Sequence, residues 1–180
     1  MTPATGVVDP DRFRRALGRF ATGVTVITTT TADGPVGATV SAFCSLSLDP
    51  PLVLACLGRE RSMHRALAAA PGFGVSILAS DQAAVARGFA RPGDRFAGVA
   101  HAPGHHGPHL RGAIAHLDCA VHDIRDGGDH VIVIGRVDAL AVHPGDPLLY
   151  ARGAFLDLPA PGAERASATA VHEWLLSAPW

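Results

Sequence analysis

Val24-Thr-Val-Ile-Thr-Thr-Thr30, then Ala32-Asp-Gly-Pro35, then Gly37-Ala-Thr-Val-Ser-Ala-Phe43 is the stretch from which the fold can be read. A β-branched run packs well on a pleated surface, and an Asp-Gly-Pro turn followed by a second apolar run predicts a hairpin. Working toward the N-terminus, Asp9-Pro-Asp-Arg-Phe13 opens a helix with an aspartate at its cap. Phe13, Leu17 and Phe20 recur at i, i+4 and i+7 to give it one apolar stripe, and Thr22-Gly23 ends it. Toward the C-terminus, Leu52–Leu57 and Phe73–Leu78 read as strands, with a short helix from Ser62-Met63-His64 that Pro71 stops. Ser80-Asp81 caps a helix through Phe89. Ala113–Val121 alternates like a half-buried strand, and Asp126-Gly-Gly-Asp129 turns the chain into a long partner, His130–Val142. A last helix is expected over Ala168–Leu176. Short strands, hairpin turns and peripheral helices predict a mainly β, antiparallel barrel rather than an alternating βα sheet.

The 180 residues suit one domain, with a core over about Phe13–Phe155 and a C-terminal tail and helix from 156 to 180. The chain is 48% hydrophobic and 17% charged, with a formal net charge of -1. That balance gives no electrostatic case for nucleic acid or an anionic membrane. All 15 basic residues are arginine, so lysine chemistry is excluded, including a Walker A loop and a Schiff base. No GxGxxG follows a strand, which removes the Rossmann route. Cys44, Cys56 and Cys119 form no CxxC pair and read as buried thiols of a reducing compartment. The N-terminus lacks the pattern of a signal peptide, and no apolar run reaches the ~20 residues of a membrane span, so a cytoplasmic protein is expected.

Four hydroxyl residues, Thr39, Ser41, Ser45 and Ser47, lie between small or apolar neighbours in Gly37–Pro51. Such a segment can offer hydroxyls and backbone N–H groups along one ligand, or it can be an ordinary Thr/Ser-rich edge strand. Arg59-Glu-Arg-Ser62 at a helix entry suits phosphate or a solvated turn. His130, first residue of its strand, can project over a pocket mouth. His101, His105, His106 and His109 cluster in the Gly/Pro-rich segment 92–112. Their spacing is not HExxH and no acid lies between them, so they read as a mobile polar loop with no metal.

An ordered set of segments resembles a known family. They are Phe13-Arg-Arg-Ala-Leu-Gly-Arg-Phe-Ala-Thr-Gly-Val-Thr-Val-Ile-Thr28, Gly37–Leu52, Phe73-Gly-Val-Ser-Ile-Leu78, Gly93-Asp-Arg-Phe-Ala-Gly98, Gly128–Val137 and Pro147-Leu-Leu-Tyr150. Together they resemble the flavin reductase-like family, the small reductase components of two-component flavin-dependent monooxygenases. The resemblance implies an FMN-binding split β-barrel of Greek-key type, a homodimer, and NAD(P)H-driven reduction of FMN or FAD that supplies a partner monooxygenase.

It also implies site residues. Thr39, Val40, Ser41 and Ala42 should lie along the flavin ring, with Ser45, Ser47 and Leu48 toward its polar edge or the ribityl-phosphate arm. Arg59, Ser62 and Met63 match the phosphate and adenylate side, and Phe96 the aromatic of the GDRF-like motif. His130 matches the family histidine beside flavin and nicotinamide, and Tyr150 and Arg152 close the site. The lack of lysine and the histidine-bearing loop depart from the family pattern. Alternatives left open are a tightly flavin-bound electron-transfer or storage protein and a split barrel that binds haem or pyridoxal phosphate.

Overall fold

The computed structural model describes residues 7–60 and 62–158, so the helix expected over Ala168–Leu176 lies outside the described residues. Helix α1 (Pro10–Leu17) begins where expected, because the Asp9 carboxylate accepts a hydrogen bond from the Arg12 N–H at 2.7 Å. It ends at Gly18 rather than at Thr22-Gly23. Those two residues instead form a short strand, β1 (Thr22–Gly23), paired with β11 (Leu149–Ala151).

The body is a seven-stranded antiparallel sheet of β2 (Thr25–Thr31), β3 (Gly34–Val40), β4 (Phe43–Leu48), β5 (Pro51–Gly58), β6 (Gly72–Ile77), β9 (Ala115–Gly127) and β10 (His130–Val142). The strand order is β3-β2-β6-β9-β10-β5-β4. Strands β3 and β4 are therefore the two edges of one sheet, although only Ser41 and Ala42 separate them in sequence. That dipeptide spans the seam of a curled sheet, and no ladder among the described residues joins the edges across it. The Gly37–Phe43 segment thus breaks at Ser41, where a single strand was expected, and Pro35 lies inside β3. An edge strand tolerates Pro35 because its missing N–H can face away from the ladder.

Helices α2 (Ser62–Leu67) and α3 (Ala83–Ala90) flank the sheet; a 3₁₀ turn, Ser80–Gln82, precedes α3. One core cluster fills the sheet's concave face with Ile27, Leu57, Met63, Phe73, Val75 and Val133, all nearly or fully buried. Gly135 on β10 makes room for the Phe73 ring, since a Cβ there would overlap it. A second cluster, with Val26, Leu78, Phe89, Leu110 and Leu148, anchors α3 and the loop after it. The apolar stripe of α1 finds no partner in this cluster: Phe13, Leu17 and Phe20 are more than half exposed.

The segment 92–112 is irregular as expected, apart from the pair β7 (His101–Ala102) and β8 (His109–Leu110). It is also pinned down. Thr28 Oγ1 donates to the Pro108 carbonyl at 2.7 Å and Thr29 Oγ1 to that of His106 at 3.3 Å. The Asp118 carboxylate accepts the His106 N–H at 3.0 Å, and Ser76 Oγ the Leu110 N–H at 3.0 Å. The strand β12 (Ala154–Leu156), which completes a small sheet with β1 and β11, was not legible in the sequence.

Candidate functional site

The seam at Ser41–Ala42 opens into a cleft of about 460 Å³. Its walls are Ala38, Thr39, Val40 and Ala42 on one side, Leu57 and Gly58 on another, and Phe89 and Ala90 from α3. Charged groups sit on the same cleft: Arg59, Glu60, Arg95, Asp129 and His130. Apolar walls with a few convergent polar groups are what a planar organic ligand requires.

Pairing of β10 with β5 places His130 opposite Gly58, next to Arg59. The His130 ring Nδ1 lies 2.7 Å from Asp129 Oδ1, and the imidazole is about half exposed at 48%. A carboxylate can only accept, so this contact puts the proton on Nδ1 and leaves Nε2 for a ligand. The hydrogen bond from His130, with its charge, holds the Asp129 carboxyl below the usual carboxylate range. Arg59 is engaged elsewhere: its Nε donates to the Gly128 carbonyl at 2.7 Å and its Nη2 to Asp126 at 2.6 Å. That contact lowers the Asp126 pKa in the same way.

Thr39, Val40, Ser41, Ala42, Arg59 and His130 are thus brought to one cleft. Thr39 Oγ1 donates to the Ala86 carbonyl at 2.7 Å, which ties β3 to α3 and leaves that hydroxyl only its acceptor capacity. Ser41 also lines two adjoining hollows, both shared with Tyr150. Phe96 stands behind the cleft, edge-on to Phe89 with centroids 5.0 Å apart. Arg152 lines a separate groove beside α1.

Five residues implied by the resemblance are not brought to the cleft. Ser45, Ser47 and Leu48 lie along the outer edge strand β4, where Leu48 is 73% exposed. Met63 is fully buried in the core, because the α2 face that carries it packs against the sheet. Ser62 is exposed at the start of α2.

The structure adds contacts that sequence reasoning did not foresee. Phe89 packs where Gly37 leaves no side chain, which the small residue opposite a bulky one would have signalled. Arg95, within the GDRF-like motif, donates to the Gly37 carbonyl at 2.6 Å and holds the loop to β3. Thr22 Oγ1 is buried without a hydrogen-bond partner among the described residues, in the hollow of about 400 Å³ lined by Leu17, Ser41, Ala42, Cys56 and Tyr150. A buried orphan hydroxyl beside an open cleft suits a ligand with polar edges. The Ser41 and Ala42 N–H groups also lack a backbone partner among the described residues. With the apolar walls, these donors fit a flavin ring.

The sequence pattern of the flavin reductase-like domain matches residues 17–159. The chain belongs to that family. It is 44% identical over 149 residues to the reductase component of a 4-nitrophenol 4-monooxygenase/4-nitrocatechol 2-monooxygenase from Rhodococcus opacus, covering 82% of this chain and 80% of that one. It is 42% identical over 144 residues to the FMN reductase (NADH) SmoA of Agrobacterium fabrum, covering 79% and 83%. Among solved structures it matches the NADH:FAD oxidoreductase SgcE6 of Streptomyces globisporus, in complex with NAD and FAD fragments. There the TM-score is 0.81–0.82 to two decimals across its two structures, with 41% identity to the complex and coverage of 89% of this chain and all of that one. The fold expectation of an antiparallel, mainly β flavin reductase holds, and the sheet is seamed rather than closed by pairing.

Proposed function

We propose that this chain is an NADH-dependent flavin reductase that takes up FMN or FAD in the cleft at the Ser41–Ala42 seam. The observation that carries the reading is the convergence of that seam, the half-exposed His130 and the apolar face of α3 on one cleft. The family and the NADH-dependent relatives support it. A bound flavin supplies the redox chemistry, accepting hydride from the nicotinamide.

The protein's part is placement. The walls formed by Ala38, Val40, Leu57 and Phe89 hold a ring plane and exclude water from its face. Thr22 Oγ1 and the Ser41 and Ala42 N–H groups offer donors to its polar edge. His130, its Nδ1–H fixed on ionised Asp129, presents Nε2 to a ligand; it orients the nicotinamide and, when protonated, steadies negative charge nearby.

The relatives named as reductase components of monooxygenases support a partner oxygenase as the recipient of reduced flavin. Phe20 and Leu48, each 73% exposed, with Phe13 and Leu17, support a homodimer in which α1 and β4 are covered. No described helix is long and apolar enough to cross a membrane. A cytoplasmic location, where NADH is supplied and thiols stay reduced, accords with the three free cysteines.

The test is NADH oxidation followed at the nicotinamide absorbance band with FMN, FAD and riboflavin in turn. A flavin-dependent decrease is expected, and its absence with all three sinks the reading. Light scattering on the eluting protein tests the dimer; a monomer mass at micromolar concentration would overturn it.

A further inference from the structure

Five histidines make ring contacts in two sets where the β7–β8 hairpin meets the sheet. In the first, His105 Nδ1 lies 3.0 Å from His106 Nε2. In the second, His109 stacks face to face on His116 with centroids 4.7 Å apart, and His143 Nε2 lies 3.3 Å from His116 Nδ1. The two sets meet at the buried Asp118. Its Oδ1 accepts the His106 N–H at 3.0 Å, and its Oδ2 lies 3.3 Å from His109 Nε2.

These contacts hold only in restricted protonation states. His116 Nε2 sits 2.9 Å from the Leu110 carbonyl, which can only accept, so the ring proton is on Nε2 and Nδ1 accepts from His143. One added proton fits, because His116 Nδ1 can then donate to a His143 that has moved its own proton to Nδ1. Two do not fit, since both facing nitrogens would carry a hydrogen. A charged His116 also repels His109 across the stack once that ring is protonated. In the other set, His106 Nε2 lies 3.3 Å from Asp138 Oδ2, which puts a proton on Nε2 and makes His105 the acceptor. A proton added to His105 Nδ1 then faces that hydrogen.

The surrounding charges define the window. Asp138, at the register shift between Val137 and Ala139, lies 3.1 Å from Arg136 Nε. Burial pushes the Asp138 pKa up, but hydrogen bonds from His106 and Arg136 outweigh it and hold the group below the usual carboxylate range. Asp138 therefore stays charged in mild acid. Arg111 adds positive charge to the hollow that His109, His116 and His143 share. Burial is the largest cause that lowers the His116 pKa; the Leu110 carbonyl opposes it, His109 and His143 add to it, and Asp118 opposes it. The folded value lies below the ordinary 6.5, so a released ring takes up its proton first and closure weakens as pH falls below that value.

The hairpin tip, residues 103–109, is otherwise held by Thr28 on the Pro108 carbonyl and Thr29 on that of His106. Its flanks are anchored by groups that do not titrate in mild acid. Leu110 is fully buried with its N–H on Ser76 Oγ, while Arg95 and Phe96 fasten the chain before the hairpin to Gly37 and Phe89.

We propose that the histidine contacts form an acid-operated latch: once His105 and both rings of the His116–His143 pair are protonated, residues 103–109 leave the sheet while Leu110 and the cleft wall stay in place. The opening uncovers Thr28, Thr29 and Asp118, and it falls between the histidine and carboxylate titration ranges, before the sheet unfolds. The latch does not depend on the reductase reading.

The experiment is amide hydrogen exchange of the full chain, read by mass spectrometry at about pH 7 and about pH 5.5, on either side of histidine titration. Protection factors are corrected for the intrinsic pH dependence of exchange. Protection of the peptide over residues 103–109 is expected to fall about tenfold or more between the two conditions, since each excluded proton contributes about tenfold per pH unit. Protection of β5 (Pro51–Gly58) should stay in place. The double variant His105→Asn/His143→Gln keeps a polar group at each contact but does not titrate there, and both positions are exposed. Its loss of protection should shrink to about twofold or less. Equal protection of residues 103–109 at both pH values in the wild type overturns the latch. A parallel loss across β5 also overturns it, because that is global unfolding. An undiminished pH response in the double variant overturns the assignment to these histidines.

Discussion

The cleft at the Ser41–Ala42 seam and the histidine-bearing loop are both rich in polar residues, and they differ in where their hydrogen bonds go. In the loop, His106 and His109 are largely buried, and their partners belong to the protein. His106 Nε2 lies 3.3 Å from Asp138 Oδ2, and His109 Nε2 lies 3.3 Å from Asp118 Oδ2, at ion-pair distance but without hydrogen-bond alignment. His116 stacks on His109 at 4.7 Å and contacts the Leu110 carbonyl through Nε2 at 2.9 Å. Burial is the main cause that lowers the His116 pKa, which favours its neutral ring. No set of three metal-ligating side chains occurs among the described residues. At the cleft, by contrast, among the described residues Thr22 Oγ1 has no hydrogen-bond partner and two seam N–H groups have no backbone partner, and His130 keeps Nε2 for a ligand. A polar cluster whose groups mostly meet protein partners holds the fold, with His109 Nε2 as the exception among the described residues, whereas donors grouped without partners along an open cleft can bind.

That contrast predicts opposite outcomes for substitutions in the two regions. His130→Ala should lower NADH oxidation tens- to hundreds-fold while the urea midpoint moves little, since the side chain is half exposed. A loss of twofold or less would remove His130 from the catalytic reading. Gly107→Ala should do the reverse, because the new Cβ would overlap the Thr28 backbone. We expect about 1–3 kcal/mol of destabilisation in urea, with turnover per folded molecule nearly unchanged.

Asp118→Ala, which removes the acceptor of the His106 N–H, should cost about 1–2 kcal/mol by the same measurement. If it impaired turnover more than stability, the loop would belong to the site. The smallest effect concerns pH. The Asp129 pKa is lowered in the folded protein, so its pairing with His130 is complete above the ordinary carboxylate range and lost as pH falls through the lowered value. Asp129→Asn should therefore flatten the acid limb of the rate profile, with an effect of a few-fold near neutral pH. An unchanged acid limb would show that this pair does not set it.

How much was legible follows from the type of interaction. The hairpin at Thr25–Val40, the long strand His130–Val142 and the Asp9 cap rest on local periodicity, turn chemistry and one short-range hydrogen bond, so the sequence reveals them. The family resemblance picked out Thr39–Ala42, Arg59 and His130, which do meet at the cleft. It could not tell that Met63 faces the core, because position in a motif does not state which way a six-residue helix turns. Nor could it show that Ser45 and Ser47 lie on an outer edge, since that depends on where β4 ends up in the sheet.

By itself, then, the sequence determined the antiparallel β character, the absence of lysine chemistry and the family. Those depend on residue type, spacing and order, all written along one dimension. Only the tertiary structure decided that Ser41 and Ala42 span the two edges of a sheet, that Arg59 is neutralised by Asp126, and that the histidine loop is tied down by backbone and carboxylate groups far away in sequence. Each of those depends on contacts between residues tens of positions apart. Long-range pairing decides which polar groups are already partnered, and so which remain to meet a ligand.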